Sequence, residues 1–302
     1  IENVSFKEAV EILADRAKME LPQDDEVVDV ERVRLKERLY KMNIDTAKIM
    51  PEEMQGIKHY MIDILSPEER YSVSNFKKDA EKAIQEIIDK GKTPIIVGGT
   101  GLYIDSLIYG IEFQNEQIDL KYREELNDIA EKEGLESLYQ EALKIDSEAI
   151  KKISPNDKKR IIRVLEIYHK TGKTKTEMEK ESRKNDVKYN YKVFAITMDR
   201  EKLYSRIEKR VDQMIDNGLI EEVKTILEKY SDFPTAMQGL GYKEVVEYLK
   251  NKITKEELIE KIKKETRHYA KRQLTWFRKN KQTIWLNGEN EISKNIDIIL
   301  ES

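Results

Sequence analysis

Gly98, Gly99, Thr100 and Gly101 follow directly on the apolar run Pro94-Ile95-Ile96-Val97, and an amphipathic stretch opens behind them at Leu102 and Tyr103. Glycines let the backbone approach a ligand closely, and a helix that begins just after them offers free N–H groups to an anion or to the edge of a base. Thr100 adds a hydroxyl able to donate or accept a hydrogen bond. A glycine turn that only packs a helix against its strand would read the same way, so the motif needs agreement from elsewhere. Arg206 and Arg210 are a second candidate, four residues apart and therefore on one helical face. Guanidinium forks suit phosphate oxygens and stabilise charge developing on a leaving group, although two surface arginines would show the same spacing.

The elements that must carry these groups can be read from periodicity. A short continuous apolar run such as Ile95–Val97 is the pattern of a parallel strand buried on both faces, and helical spacing resumes at Leu102, Tyr103, Ser106 and Leu107. Strand, tight turn, helix is the expected order, and ligands of such folds gather at that edge. Ahead of it, residues 3–19 read as a helix capped by Ser5, the charged segment to Tyr40 as a second helix, His59–Leu65 as a short strand and Ser74–Lys90 as a helix. Behind it, a long charged helical region runs to about Lys184. Val193–Met198 and Thr283–Leu286 then return to strand patterns on either side of helices that include Leu203–Met214 and Thr266–Arg278.

The 302 residues leave room for two domains, and the composition restricts what they do. No apolar run approaches bilayer length, so a soluble cytoplasmic protein is expected, without a membrane partner. There is no cysteine, and His59, His169 and His268 lie far apart, which argues against a thiolate or zinc site. The net charge of −4 hides segregation: Lys151–Lys184 holds twelve bases against five acids, and Lys261–Lys281 nine against one. Solvated helix faces would explain such runs, and so would a surface that tracks nucleic-acid phosphates.

Five groups of residues occur together in order. They are Gly98-Gly99-Thr100-Gly101-Leu102-Tyr103, then Pro155-Asn156-Asp157 with Arg160 and Arg163, and Arg206-Ile207 with Arg210-Val211-Asp212 and Met214. Gly241-Tyr242-Lys243 and Ala270-Lys271-Arg272-Gln273-Leu274-Thr275-Trp276 complete the set. In that order and spacing, from about Ile44 to the C-terminus, the chain closely resembles the bacterial tRNA dimethylallyltransferases. The resemblance implies an α/β fold, a P-loop NTPase-like parallel sheet core at 43–112 and 185–302, with an inserted helical tRNA-binding subdomain at 113–184. It implies transfer of a dimethylallyl group from dimethylallyl diphosphate to N6 of the adenosine 3′ of the anticodon, with Mg2+ and a monomer. By the same resemblance Thr100 contacts the flipped adenine as the catalytic group, and Gly98, Gly99, Arg206 and Arg210 bind the substrate near its diphosphate. Arg123, Lys159, Arg160, Arg163, Gln238, Gly241, Tyr242, Lys243, Lys271 and Arg272 hold the anticodon stem-loop. Trp276 and Trp285 are expected to fill the core.

The chain departs from that family at its front. The family opens with a strand leading into a G-x-x-x-x-G-K-[ST] loop and a second strand that ends in the aspartate expected as general base; neither motif is present here. Gly91-Lys92-Thr93 and Gly172-Lys173-Thr174 contain the triplet, but no glycine stands five residues earlier. Residues 1–42 instead resemble a fragment of bacterial DNA primase, a foreign helical leader carrying none of that enzyme's zinc ligands or polymerase acids. Loss of an interior strand removes hydrogen-bond partners as well as the anion cradle, so impaired transfer is expected, with a non-catalytic tRNA-binding remnant as the alternative.

Overall fold

The computed structural model describes residues 30–34, 42–44, 48–54, 56–113, 119–183, 187–233 and 236–302. The helix expected at 3–19 lies outside them. Two compact units separate, one comprising the described residues up to Ile104 together with Asn190–Ser302, the other Asp105–Tyr189.

In the first unit, β1 (Val30–Arg34), β2 (His59–Tyr60), α1 (Val73–Asp89) and β3 (Thr93–Val97) come in that order. The three strands form a parallel sheet in the order β2-β1-β3, with Arg32 in register with His59 on one side and Ile95 on the other. This corrects the expectation of a helix over the charged segment to Tyr40, because β1 is extended and lies at the centre of the sheet. Val30 and Val33 favour that conformation, and the charged residues between them find partners. The buried Glu31 carboxylate accepts from the Tyr60 hydroxyl at 2.8 Å and lies 3.3 Å from the Lys92 ammonium, while the buried Arg32 guanidinium meets His59 Nε2 at 3.3 Å. Such charges are tolerated in an interior only when they are paired in this way.

Ser72 caps α1 by accepting the Asn75 N–H at 3.2 Å, and the helix buries Phe76, Ala80, Ile84 and Ile87. Phe76 also stacks on Tyr103 of α2 (Gly101–Ile108), ring centroids 4.6 Å apart, which fixes the direction in which the chain leaves β3.

The second unit consists of helices: α3 (Leu120–Lys132), α4 (Glu136–Ile145), α5 (Ser147–Ile150), α6 (Lys158–Thr171) and α7 (Lys175–Ser182). Its core gathers Leu126, Leu138, Ile150, Ile161 and Leu165. Asp157 caps α6 by accepting the Arg160 N–H at 3.1 Å, and Gly172 ends it in the left-handed region at φ 68°.

The first unit resumes with β4 (Phe194–Thr197), α8 (Arg200–Asp216), α9 (Leu219–Lys229), α10 (Tyr242–Leu249), α11 (Lys255–Phe277), β5 (Ile284–Asn287) and α12 (Ile292–Glu301). β4 and β5 pair in parallel as a sheet of their own, Phe194 opposite Ile284. Met42, Val211, Leu219, Val223, Val245 and Leu258 form a core among α8, α9, α10 and α11. Burial of side chains of this size contributes about 2 kcal/mol each, so these helices, rather than the two-stranded sheet, hold this part of the unit together. No helix among the described residues is long and apolar enough to cross a membrane.

Candidate active site

β3 ends at Val97 and α2 begins at Gly101, so the glycine turn occupies the C-terminal edge of the three-stranded sheet. The Thr100 carbonyl accepts the N–H groups of Tyr103 and Ile104 at 3.0 and 3.1 Å, which starts the helix. Helix α11 comes down on this turn. The side-chain amide of Gln273 donates to the Gly99 carbonyl at 2.8 Å. A Cβ on Gly99 would stand 2.1 Å from Gln273 Nε2, and one on Gly101 would stand 2.4 Å from Trp276 Cδ1. Three residues apart, Gln273 and Trp276 share one helical face. Gly101 is therefore required by the approach of the Trp276 indole, whereas at Gly99 the close atoms are the movable end of Gln273; packing accounts for both glycines without a ligand. Thr100 is different: half-buried between them, its hydroxyl has no hydrogen-bond partner among the described residues.

Helices α8 and α11 run antiparallel, because Glu208 accepts from Arg267 at 2.7 Å while Asp212, one turn further on, pairs with Lys263 at 2.7 Å. The N-terminal end of α8 thus lies beside the C-terminal end of α11, where Gln273 and Trp276 meet the glycine turn. Extending that register sets Arg206 level with Tyr269, about 6 Å along the axis from Gln273. Arg206 and Arg210 are both exposed, on the side of α8 turned away from the line Tyr204, Glu208 and Asp212 that faces α11. The two arginines share a face with each other; in that register Arg206 is the nearer to the glycine turn, Arg210 lies level with Glu265 one turn further from it, and no hydrogen bond joins either of them to Thr100. Sequence reasoning passed over Arg200 and Arg267, whose guanidinium carbons lie 5.1 and 6.0 Å from the Tyr204 ring centroid; Arg267 is already paired with Glu208, and Arg200 adds a cation at the N-terminal end of α8.

In the helical unit, Arg123 grips Glu166 bidentately, with Nη2 to Oε2 at 2.7 Å and a second contact from Nε to Oε1. Glu166 is buried, and its carboxylate raises the Arg123 pKa above the usual guanidinium value. Arg163 Nη1 approaches the same carboxylate at 3.7 Å. Lys159, Arg160 and Arg163 are exposed along α6, Arg160 lying 3.3 Å from Asp157. Arg123 is thus committed to an internal pair, and the α6 cations are the ones presented outward. Glu166 follows Arg163 by three residues, a spacing that signals the pair.

Lys271 and Arg272 are exposed near the end of α11, and Gln238 closes a 3-10 turn at Ala236–Gln238. Gly241 precedes α10 at φ 91° and donates its N–H to Glu244 at 2.8 Å. Lys243 is exposed, whereas Tyr242 is buried and its hydroxyl donates to Glu222 at 2.6 Å. The Glu222 carboxylate also accepts the N–H groups of Asn43 and Ile44, at 2.9 and 3.2 Å. Tyr242 therefore helps tie residues 43–44 to α9 and is not part of an outward surface. Among the described residues no three His, Asp or Glu side chains converge on a point where a metal ion would sit, so Mg2+ finds no cage built by this part of the protein alone.

Residues 39–280 match the model of the IPP transferase family. The chain belongs to that family. It is 47% identical over 270 residues to a tRNA dimethylallyltransferase of Acetivibrio thermocellus, a match that covers 87% of this chain and 86% of the relative. A tRNA dimethylallyltransferase of Carboxydothermus hydrogenoformans is also 47% identical, over 255 residues, 84% of this chain and 82% of that one. Among solved structures, the full-length tRNA isopentenylpyrophosphate transferase of Bacillus halodurans superposes with a TM-score of 0.67 at 36% identity, covering 98% of this chain and 90% of its own. A eukaryotic dimethylallyltransferase described as acting on tRNA gives a TM-score of 0.72 at 27% identity, covering 98% and 76%. The expected α/β, P-loop NTPase-like class with parallel strands holds.

In this IPP transferase chain neither G-K-T triplet cradles an anion. Gly91 ends α1 at φ 72° and Lys92 beside it pairs with Glu31, while Gly172 ends α6.

Proposed function

We propose that this chain binds the anticodon stem-loop of tRNA and, as a monomer, transfers a dimethylallyl group from dimethylallyl diphosphate to N6 of the adenosine 3′ of the anticodon. In that reaction the bond from carbon to the diphosphate oxygen breaks, the bond from carbon to N6 forms, and N6 loses a proton. The observation that carries the reading is the junction of Gln273 and Trp276 with Gly99 and Gly101, which brings two separated family motifs onto the turn where the Thr100 hydroxyl has no partner among the described residues. That hydroxyl sits where it can fix the adenine amine, and positioning is the larger part of what a weak amine nucleophile needs. Arg206 and Arg210 neutralise the departing diphosphate, and Lys159, Arg160, Arg163, Lys271 and Arg272 track tRNA phosphates.

Part of this reading is a turnover below that of the relatives, supported by residues 1–302 containing no G-x-x-x-x-G-K-[ST] loop to hold the diphosphate. A non-catalytic tRNA-binding role is the second reading, favoured by the exposed cations of α6, which belong to a helical unit with its own core. Incubation of the purified chain with unmodified tRNA and dimethylallyl diphosphate, followed by mass spectrometry of the released nucleosides, separates the two. A five-carbon mass gain on adenosine supports transfer, and binding without that gain supports the second reading.

A further inference from the structure

We infer that the helical unit carries a stacking site for one unpaired base of the anticodon arm, on the open face of His169, with Tyr122 beneath the imidazole and Lys170 beside it for the adjoining phosphate. The inference deepens the tRNA reading and rests on it.

The site is built where two helices cross. The Tyr122 and His169 rings lie nearly parallel, centroids 3.8 Å apart and planes inclined by 14°. They belong to α3 and α6, which run antiparallel: Tyr122 meets His169, Arg123 meets Glu166 at 2.7 Å, and Glu131 meets Lys158 at 3.3 Å. Tyr122 is half-buried and packs on the core of the unit, whereas His169 is exposed. The stack therefore begins at the core and ends at a ring open to solvent. With one face covered by Tyr122, the exposure of His169 belongs to its other face and its edge. Neither ring nitrogen of His169 has a hydrogen-bond or ion-pair partner among the described residues.

A flat ring held in this way suits a nucleobase, because every base has a π face, and only an unpaired base can leave its own stack to use the site. The surrounding charge selects a polyanion rather than an aromatic group of another protein. Lys159, Arg163, Glu166 and Lys170 are spaced four, three and four residues apart, so they form one line along α6 about 16 Å long. The acid of that line is buried and gripped by Arg123, which leaves the exposed Lys159, Arg163 and Lys170 to define its surface as cationic.

His169 directly precedes Lys170 and so stands about 100° round the helix from it, on the side turned to α3. A base laid on His169 can thus place its phosphate against Lys170. The opposite course is disfavoured: burial raises the Tyr122 pKa and the charges of Glu141 and Glu125 raise it further, and those carboxylates repel a phosphate from the Tyr122 side. The nucleotide backbone accordingly follows α6.

The test titrates the full chain into a synthetic, unmodified anticodon stem-loop that carries 2-aminopurine at one unpaired position at a time, with a fully paired duplex of the same stem as control. Stacking quenches this fluorophore. The wild type is expected to quench it at one unpaired position and not in the duplex. His169→Ala is expected to weaken stem-loop binding about tenfold and abolish the quench at an unchanged salt slope, since no phosphate contact is lost. His169→Phe should restore both, and Lys170→Ala should keep the quench while lowering the salt slope by about one. Wild-type binding by His169→Ala, a lowered salt slope in that variant, no rescue by His169→Phe, or quenching in the duplex would overturn the inference and leave tRNA binding in place. A wild type that binds no stem-loop would overturn it together with the tRNA reading.

Discussion

Gln273 and Gly99, 174 residues apart, are joined by a hydrogen bond of 2.8 Å from side-chain amide to backbone carbonyl. One turn on, Trp276 lies so close to Gly101 that no Cβ fits between them. The two contacts set the height of the Thr100 hydroxyl relative to α11.

Gly101→Ala forces a rigid indole to move and should destabilise the protein by about 1–3 kcal/mol. Gly99→Ala meets only the end of a flexible side chain, and loss of its hydrogen bond should cost about 1 kcal/mol. Urea unfolding of the two variants checks the order, which reverses if α11 does not rest on Gly101.

β1 should behave as an interior strand. Val33→Pro removes a ladder N–H facing β3 and should cost at least about 3 kcal/mol, as for a proline in regular structure. Unchanged urea stability in Val33→Pro would mean that residues 30–34 are dispensable to the sheet.

Arg123 and Arg163 should separate by readout. Arg123→Ala strands a buried carboxylate and should lower the stability of the helical unit by about 1–3 kcal/mol. Arg163→Ala should leave stability nearly intact, weaken tRNA binding and reduce the salt slope by about one. Filter binding across a salt series, set beside thermal unfolding, distinguishes them.

The helical unit should lose stability in acid through Asp146. Burial alone would raise its pKa, but the Ala149 N–H at 2.9 Å, the Thr176 hydroxyl at 2.7 Å and the Thr176 N–H at 2.8 Å outweigh burial and hold it below the ordinary 3.8. A depressed folded-state pKa gives stabilisation that is complete above the unfolded-state value and disappears as pH falls through the folded one. Asp146→Asn should therefore be less stable than the wild type at neutral pH by about 1 kcal/mol, with the gap closing in acid. Thermal unfolding at neutral pH and at a pH below 3.8 measures it.

Much of this was legible in the letters. The apolar run before Gly98, the helix expected at Ser74–Lys90 and the i, i+4 arginines each rest on local rules, and the elements fall close to where those rules put them. β1 was not legible, because Glu31 and Arg32 break the apolar pattern and their partners Tyr60, Lys92 and His59 are distant in sequence. The commitment of Arg123 to Glu166 and the burial of Tyr242 were hidden for the same reason, since a cation or phenol reads alike whether it faces solvent or a buried carboxylate. The division of the strands into three and two was hidden as well, because strand pairing is set by tertiary packing that no local pattern encodes.

The most direct test of the central claim is dimethylallyl transfer to unmodified tRNA by the purified chain, measured with tRNA binding in the same samples and against the Acetivibrio thermocellus relative. The account predicts salt-sensitive tRNA binding with product formed about 10²–10⁴-fold more slowly than by the relative, the cost of a missing general base, and the residue of activity lost in Thr100→Ala. A rate equal to the relative's, or a chain that binds no tRNA at low salt, would contradict it.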